Sequence, residues 1–298
     1  MLQKSNPKND HIQIYIKDKL YPRHQAKVSV FDSTVQGGDA VWEGLRVYPQ
    51  GVVCLDKHLT RLQQSAKTLA FTDIPSKAEI KKAIKLTLDA NAMDDNTHIR
   101  LTLSRGEKIT SGMDPRLNQS GSCLIVLAEW KPLVYDNNSG ITVLSTSQRR
   151  NAPQFLDSKI HHNNLLNNIL AKIQANVAGK DAGLMLDDRG FVAELNGSNV
   201  FMIQQGKVYT PFAHACLPGI TRNTVMELCK DNDIQLIEAD LSLSEFMNAE
   251  GVFATGTMGE LTPVVEIDGR VISRDSQLMD RILKLFKDNI RRYCEPLS

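Results

Sequence analysis

One lysine, Lys159, lies directly ahead of a stretch that is unusually rich in amide side chains. Residues 156–187, which contain Lys159 and this stretch, have the sequence LDSKIHHNNLLNNILAKIQANVAGKDAGLMLD. A helix dipole and an apolar environment both disfavour the protonated form of a nearby amine. A lysine in such a place is therefore a candidate nucleophile, which could condense with an aldehyde to form a Schiff base.

The residues after Lys159 show the spacing of an amphipathic helix. Its apolar stripe consists of Leu165, Leu166, Ile169, Leu170, Ile173 and Val177. The spacing predicts a helix that ends at Gly179 and packs this stripe against the protein core.

Two later loops have the composition of anion-binding sites. In LPGITRNTV, residues 217–225, Pro-Gly precedes Thr221, which is predicted to cap the following helix and so to form a phosphate site. In ATGTMGE, residues 254–260, small and hydroxyl residues offer successive donors to an anion. Together with Lys159, these loops predict a phosphorylated cofactor with a carbonyl group, and pyridoxal phosphate fits that pairing.

Such a cofactor also needs an acid that keeps its ring nitrogen protonated. Glu194 lies in the apolar run FVAEL, where an unpaired carboxylate is costly. Glu194 is therefore the predicted partner of the ring nitrogen.

The order of elements predicts an α+β protein with two domains. Strand-like runs alternate with amphipathic helices in the first half, one of which begins at a capping box formed by Ser76 and Glu79. The turn-rich segment KPLVYDNNSG separates the halves. The predicted division is a small N-terminal α+β domain over 1–132, a linker over 133–140 and a larger cofactor-binding domain over 141–298.

Composition excludes several classes of partner. A net charge of +1 gives no electrostatic footprint for nucleic acid or an anionic membrane. No run approaches the length of a membrane span, and the N-terminus has no apolar signal core, so a cytoplasmic protein is expected. The adjacent histidines His161 and His162 point apart and have no acidic or cysteine partners nearby, so no metal site is predicted.

Four motifs that occur in a fixed order resemble one family. They are K-x-x-x-N-x-L-x-N-x-x-L-A, LD-x-x-G-x-V-x-E-x-x-x-x-N-x-F, LPGITR and TGT-x-x-E-x-TPV, and the first half adds GD-x-V-x-EG-x-RVY and H-x-x-RL-x-x-SA. Together they resemble the class IV (fold type IV) pyridoxal-phosphate aminotransferases, over residues 12–269. The resemblance implies a small N-terminal α/β domain, a larger domain with a β-barrel-like sheet, and a homodimer whose partner lends residues to the site.

The resemblance also implies a role for individual residues. Lys159 would be the Schiff-base lysine, which shuttles a proton once substrate has freed it, and Glu194 the partner of the pyridine nitrogen. The other implied cofactor contacts are Arg61 for the phosphate, Asn164 near the ring hydroxyl, Leu217 against the ring, and Gly219, Ile220, Thr221, Gly256 and Thr257 around the phosphate. Thr257 and Met258 would also meet the substrate carboxylate.

Within the family, the chain is most similar to the branched-chain aminotransferases. VWEGLRVY, with Trp42, resembles their VFEGIR motif, and Arg100 and Trp130 match a substrate-site arginine and tryptophan. The resemblance implies transfer of an amino group between a branched-chain L-amino acid and 2-oxoglutarate. Where those enzymes usually carry tyrosines, this chain has Gly37, His98 and Asn164, which would enlarge the site and admit water.

Two activities of the same fold remain as alternatives. One is a D-amino-acid aminotransferase, although an arginine and a histidine typical of such enzymes are not evident in SRGEKITSGMDPR. The other is a 4-amino-4-deoxychorismate lyase, which shares the lysine and the phosphate site. The pair Arg149 and Arg150 is interpreted as solvated or interfacial charge, outside the site.

Overall fold

The computed structural model describes residues 5–274 and 276–297, and they form two compact units. The N-terminal unit contains the described residues up to Pro132, the segment Ile160–Asn164 and residues 291–297. The C-terminal unit contains Leu133–Lys159 and the described part of Leu165–Ile290. The domain bounds predicted above stay a prediction, and residues 1–4, 275 and 298 lie outside the described residues.

The N-terminal unit begins, from residue 5 onward, with six strands and three α-helices. In chain order they are β1 (Gln13–Ile16), β2 (Lys19–Pro22), α1 (Ser33–Gly37), β3 (Ala40–Tyr48), β4 (Gly51–Val53), α2 (Leu55–Thr68), α3 (Lys77–Asn91), β5 (Thr97–Ser104) and β6 (Cys123–Trp130). The predicted capping box is confirmed, because Ser76 and Glu79 cap the start of α3 reciprocally.

The described residues of the C-terminal unit continue with nine strands and four α-helices. They are β7 (Ile141–Ser145), α4 (Leu166–Val177), β8 (Ala182–Leu186), β9 (Val192–Leu195), β10 (Asn199–Gln204), β11 (Lys207–Pro211), α5 (Ile220–Asp231), β12 (Leu236–Ala239), α6 (Leu243–Met247), β13 (Gly251–Gly256), β14 (Glu260–Ile267), β15 (Arg270–Val271) and α7 (Gln277–Asn289). A last short strand, β16 (Cys294–Glu295), belongs to the N-terminal unit.

Each unit is built on one sheet. Among the described residues, the N-terminal sheet has the order β16-β4-β3-β5-β6-β1-β2, and its strands pair in antiparallel fashion. The C-terminal sheet has the order β12-β11-β10-β13-β14-β7-β8-β9, with β15 paired to β14. Strands β7 and β8 pair in parallel and are joined through α4.

The N-terminal core lies where α2 and α3 cover one face of their sheet. Helix α2 buries Leu55, Leu59 and Leu62 against it, and α3 buries Ile80 and Ile84. The same register that buries the leucines of α2 also places His58 and Arg61 over β3.

The predicted orientation of α4 is wrong. Its large apolar side chains are exposed, from 40% at Leu170 to 86% at Val177, whereas Ala171 and Ala175 are buried. The small face packs on β8 because Gly183 lets the backbones approach; a Cβ at Gly183 would lie 2.8 Å from the carbonyl oxygen of Ala171. The helix does end as predicted, with Gly179 in the left-handed region.

No helix within the described ranges, 5–274 and 276–297, is both long enough and apolar enough to cross a membrane.

Candidate active site

Glu194 is a buried carboxylate that is paired with a buried arginine. It lies on β9 and is 5% exposed, and the Nε of Arg150 donates to its Oε1 over 2.6 Å. Burial raises the pKa of Glu194, and the charge and hydrogen bond of Arg150 oppose that rise only in part. The carboxylate would gain from a further cationic N–H partner.

Arg150 is the main correction to the sequence-based interpretation of the site. The sequence predicts a solvated or interfacial pair of Arg149 and Arg150, but only Arg149 of the two is exposed. Arg150 also donates to Oδ1 of Asn167 on α4, over 3.1 Å. An arginine 44 residues before its carboxylate gives no local signal, and only the cost of burying Glu194 alone indicated that some cation must meet it.

Asn199 connects Glu194 to the loop before α5. Its Nδ2 donates to Oε2 of Glu194 over 3.1 Å and to the carbonyl oxygen of Leu217 over 2.9 Å. A Cβ at Gly219 would lie 2.1 Å from the Oδ1 of Asn199, so only glycine fits at this point without moving the asparagine. Leu217 and Gly219 are thus held beside Glu194, as the sequence-based hypothesis requires.

Helix α5 begins at Ile220 with Gly219 at the N-cap, and no side chain of the described residues caps it. Thr221 lies inside the first turn, so its predicted capping role is wrong. The first amides of a helix have no partner within the helix, and those of Ile220 and Thr221 point out of its N-terminus. This end of α5 is suited to bind an anion.

The predicted hydroxyl-rich loop is the hairpin turn between β13 and β14. Gly256 pairs with Glu260, so Thr257 and Met258 form the turn, and the carbonyl oxygen of Met258 accepts from Val134 over 2.9 Å. A Cβ at Gly256 would lie 3.2 Å from the Oγ of Ser198. Because Asn199 pairs with Thr255, the turn lies at the same end of the C-terminal sheet as Asn199.

Lys159 is the last residue of the segment Leu133–Lys159, which belongs to the C-terminal unit. It is exposed, it lies in a turn, and its amide donates to Oδ1 of Asp157 over 3.0 Å.

Arg61, the predicted phosphate ligand, belongs to a buried cluster in the N-terminal unit. Its Nε and Nη2 donate to Oε1 and Oε2 of Glu43, each over 2.7 Å. The Nδ1 of His58 lies 2.7 Å from Oε2, and the Nδ1 of His161 lies 3.2 Å from Oε1. The sequence-based hypothesis did not include Glu43, and the phosphate contact of Arg61 stays a prediction.

Two of the predicted substrate residues meet in the N-terminal unit. The guanidinium of Arg100 lies 3.5 Å from the centroid of the Trp42 ring, and its Nη2 donates to Oδ1 of Asn163 over 2.8 Å. Burial lowers the pKa of Arg100 to about 10, so it remains charged at neutral pH. A charged, oriented guanidinium of this kind can bind a carboxylate.

Trp130 is not brought to these residues. It pairs with Thr97 at the start of β5, packs against the core under α2 and α3, and carries Nζ of Lys8 over its ring at 4.9 Å. Because side chains alternate along a strand, Trp130 and Arg100 project from opposite faces of the sheet. The substrate role of Trp130 stays a prediction.

The three residues that replace tyrosines differ in burial. His98 is 4% exposed, and burial together with Lys131, Arg46 and Arg100 lowers its pKa to about 3, so it is neutral. Gly37 and Asn164 are exposed.

Three features of the C-terminal unit fit a phosphorylated cofactor that carries an aldehyde. The N-terminus of α5 lacks a side-chain cap, and the Oγ1 of Thr255 is buried without a hydrogen-bond partner among the described residues. Glu194 has a raised pKa and would be stabilised by a protonated ring nitrogen.

The chain is similar to several known proteins. It is 59% identical over 266 residues to the branched-chain-amino-acid aminotransferase-like protein 2 of Arabidopsis thaliana, a match that covers 89% of this chain and 48% of that protein. The chain thus spans about half the length of the first curated relatives it matches. It is 38% identical to the putative branched-chain-amino-acid aminotransferase of Methanocaldococcus jannaschii, over 93% of this chain and 96% of that one.

Solved structures of such enzymes have the same fold. The branched-chain aminotransferase of the thermophilic archaeon Thermoproteus uzoniensis, solved with norvaline, superposes with a TM-score of 0.85 at 27% identity, covering 96% of each chain. A T.th. branched-chain amino acid aminotransferase, complexed with N-(5'-phosphopyridoxyl)-L-glutamate, superposes with a TM-score of 0.88 at 27% identity, covering 97% of this chain and 99% of that one. These matches confirm the predicted two-domain architecture of fold type IV. The cofactor predicted from the sequence agrees with the phosphopyridoxyl group of the second structure's ligand.

The model of the amino-transferase class IV family matches residues 40–267, well over half of the chain, and with these relatives it shows that the protein belongs to the class IV aminotransferases.

Proposed function

We propose that the protein is a pyridoxal-phosphate-dependent aminotransferase that transfers an amino group between a branched-chain L-amino acid and 2-oxoglutarate, with Lys159 as the Schiff-base lysine. The observation that carries the proposal is the buried group Arg150–Glu194–Asn199 next to the uncapped N-terminus of α5. This arrangement combines an acid that can meet a ring nitrogen with backbone amides that can bind a phosphate, in a member of the class IV aminotransferases.

When bound, pyridoxal phosphate supplies an aldehyde that amines can attack and a ring that accepts electrons. The amides of Ile220 and Thr221 would bind the phosphate, with Gly256, Thr257 and Arg61 as the further predicted contacts. Leu217 would pack against the ring, and Asn164 would contact its hydroxyl group.

Glu194 would hold the proton on the ring nitrogen. Arg150 supports this role because its charge opposes the rise in the pKa of Glu194 that burial causes. Asn199 keeps the second carboxylate oxygen oriented. The Nζ of Lys159 would accept the proton from the substrate Cα as a general base and would then deliver it, as a general acid, to the cofactor carbon that carries the aldehyde.

Substrate recognition would rest on Arg100 and the turn of β13 and β14. Arg100 would bind the side-chain carboxylate of 2-oxoglutarate, whereas Thr257 and Met258 would bind the α-carboxylate. Trp42, whose ring contacts Arg100, would line the apolar part of the site.

We further propose a homodimer, as the family resemblance implies. The exposed apolar residues of α4 support it, because a patch of this kind on a protein surface usually contacts another molecule. A second copy would cover this face.

The test is a half-reaction monitored by the absorbance of the bound cofactor, with single L- and D-amino acids. L-leucine, L-isoleucine or L-valine should react and D-alanine should not; borohydride should then fix the cofactor to Lys159 in the unreacted protein. Lys159→Ala should abolish turnover, and Glu194→Gln should lower it by well over tenfold, which is more than about 1.4 kcal/mol of barrier. Reaction with D-alanine alone, or release of pyruvate from aminodeoxychorismate, would favour the two alternative activities.

A further inference from the structure

The segment that follows Lys159, Ile160–Asn164, is bound to β3 of the N-terminal unit; we name it the anchor segment. The amide of Trp42 donates to the carbonyl oxygen of His161 over 2.9 Å, and the amide of Asn163 donates to that of Ala40 over 2.7 Å. These two bonds add the anchor segment to β3 like a short extra strand.

Side chains add to the backbone ties. The indole Nε1 of Trp42 donates to the carbonyl oxygen of His162 over 3.1 Å, and the amide of His161 donates to Oγ of Ser65 over 3.1 Å. The backbone two residues beyond Lys159 is thus held by both β3 and α2.

The side chain of His161 ties the anchor segment to a buried charge. Its ring lies 4.1 Å from that of Trp42, its Nδ1 lies 3.2 Å from Oε1 of Glu43, and the side chain is 13% exposed. Burial lowers the pKa of His161 to about 4 against the effect of Glu43, and Arg61 and Arg100 lower it further. His161 is therefore neutral at pH 7, and a proton on Nδ1 is favoured because this nitrogen faces the carboxylate.

Glu43 is an anion surrounded by donors. Burial raises the pKa of Glu43, but His161 and Arg61 outweigh burial and hold the pKa well below its usual range. Arg61 supplies two donors and His58 a third, each over 2.7 Å. The Nδ1 of His161 lies 3.2 Å from Oε1 but makes no hydrogen bond to it. The imidazole of His161 thus contacts the fully buried carboxylate on the side of Oε1 without being one of its hydrogen-bond donors.

We propose that His161 is a positioning residue for Lys159. Through Glu43 and Trp42 it immobilises the backbone on the C-terminal side of Lys159 and so restricts the positions that the amine can reach. The inference rests on the proposed function of Lys159. It assigns a role to a histidine whose side chain the reaction itself does not use.

The structure indicates that His161 can be replaced without loss of the fold. After its removal Glu43 keeps Arg61 and His58, and the backbone bonds of the anchor segment remain. Loss of the imidazole should therefore loosen the anchor segment rather than unfold the unit.

The experiment compares His161→Ala and His161→Gln with the wild-type holoenzyme. The control is His24→Ala, since His24 is exposed and its side chain contacts the neighbouring Gln25 on the surface. Gln can still donate to Glu43, so it should restore part of what Ala loses. Three quantities are measured: amide hydrogen exchange in residues 159–164, kcat and KM for leucine, and the absorbance of the bound cofactor as a function of pH.

His161→Ala should exchange these amides about tenfold faster, shift the pH midpoint of the absorbance, and lower kcat about tenfold with KM changed less than about twofold. The Gln variant should lie between Ala and wild type, and His24→Ala should match wild type. The positioning role would be overturned if His161→Ala had a kcat within about twofold of wild type and an unchanged pH midpoint of the cofactor absorbance, even with faster amide hydrogen exchange. If borohydride does not fix the cofactor to Lys159 in the wild-type protein, the proposed function itself fails, which is a separate result.

Discussion

Replacement of Arg150 by methionine should destabilise the C-terminal unit and impair the function of Glu194. The substitution keeps an unbranched side chain of similar length but removes the guanidinium that lies 2.6 Å from Glu194. Both side chains of this ion pair are only 6% exposed, so water cannot replace the lost charge.

The magnitude follows from burial. Removal of one partner from a buried ion pair costs about 3–5 kcal/mol, and we expect about 3 kcal/mol because Asn199 still donates to Oε2. Loss of Arg150 should also raise the pKa of Glu194 further, because its charge and hydrogen bond are the main effects that oppose burial.

The loss of unfolding free energy caused by Arg150→Met should depend on pH. An acid whose pKa is raised by folding loses stability as the pH rises above its unfolded pKa, by about 1.36 kcal/mol for each pH unit until the folded pKa is reached. Because the pKa of Glu194 should be raised further in Arg150→Met than in the wild type, the difference in unfolding free energy between the two should shrink as the pH falls from 7 to 5.

Urea unfolding at both pH values measures this difference. Arg149→Met is the matched control, because Arg149 is the exposed neighbour of Arg150, and it should change stability by less than about 0.5 kcal/mol. A loss below about 1 kcal/mol in Arg150→Met, or a loss that does not change with pH, would refute the argument that Arg150 compensates a buried carboxylate.

Two further predictions concern the substrate and the assembly. Arg100→Leu should raise KM for 2-oxoglutarate far more than KM for leucine, since a bidentate contact to a carboxylate contributes roughly 1.5–3 kcal/mol; equal changes in steady-state KM for both substrates would contradict the assignment. Ile169→Glu, on the exposed face of α4, should convert a dimer into a monomer in sedimentation velocity, and a dimer that persists would show that this face is not the interface.

Much of the local structure could be predicted from the sequence. Ser76 and Glu79 three residues apart define a cap, and Gly179 marks the end of α4, because each of these signals acts between residues close in the chain. Glu194 became a candidate for a similar reason, since an acid in an apolar run is unusual in itself. The position predicted for Lys159, directly before a helix, is wrong, because α4 begins only at Leu166 and Lys159 is exposed in a turn.

The partners of these residues were decided only by tertiary structure. Arg150 meets Glu194 across 44 residues, and Glu43 meets His161 across more than a hundred, so no local pattern identifies either pair. Periodicity likewise showed which residues of α4 share a face but not which face packs inward. Ala171 and Gly183 determine which face packs inward, because these small residues let the helix backbone approach β8 closely. The large apolar side chains are left exposed.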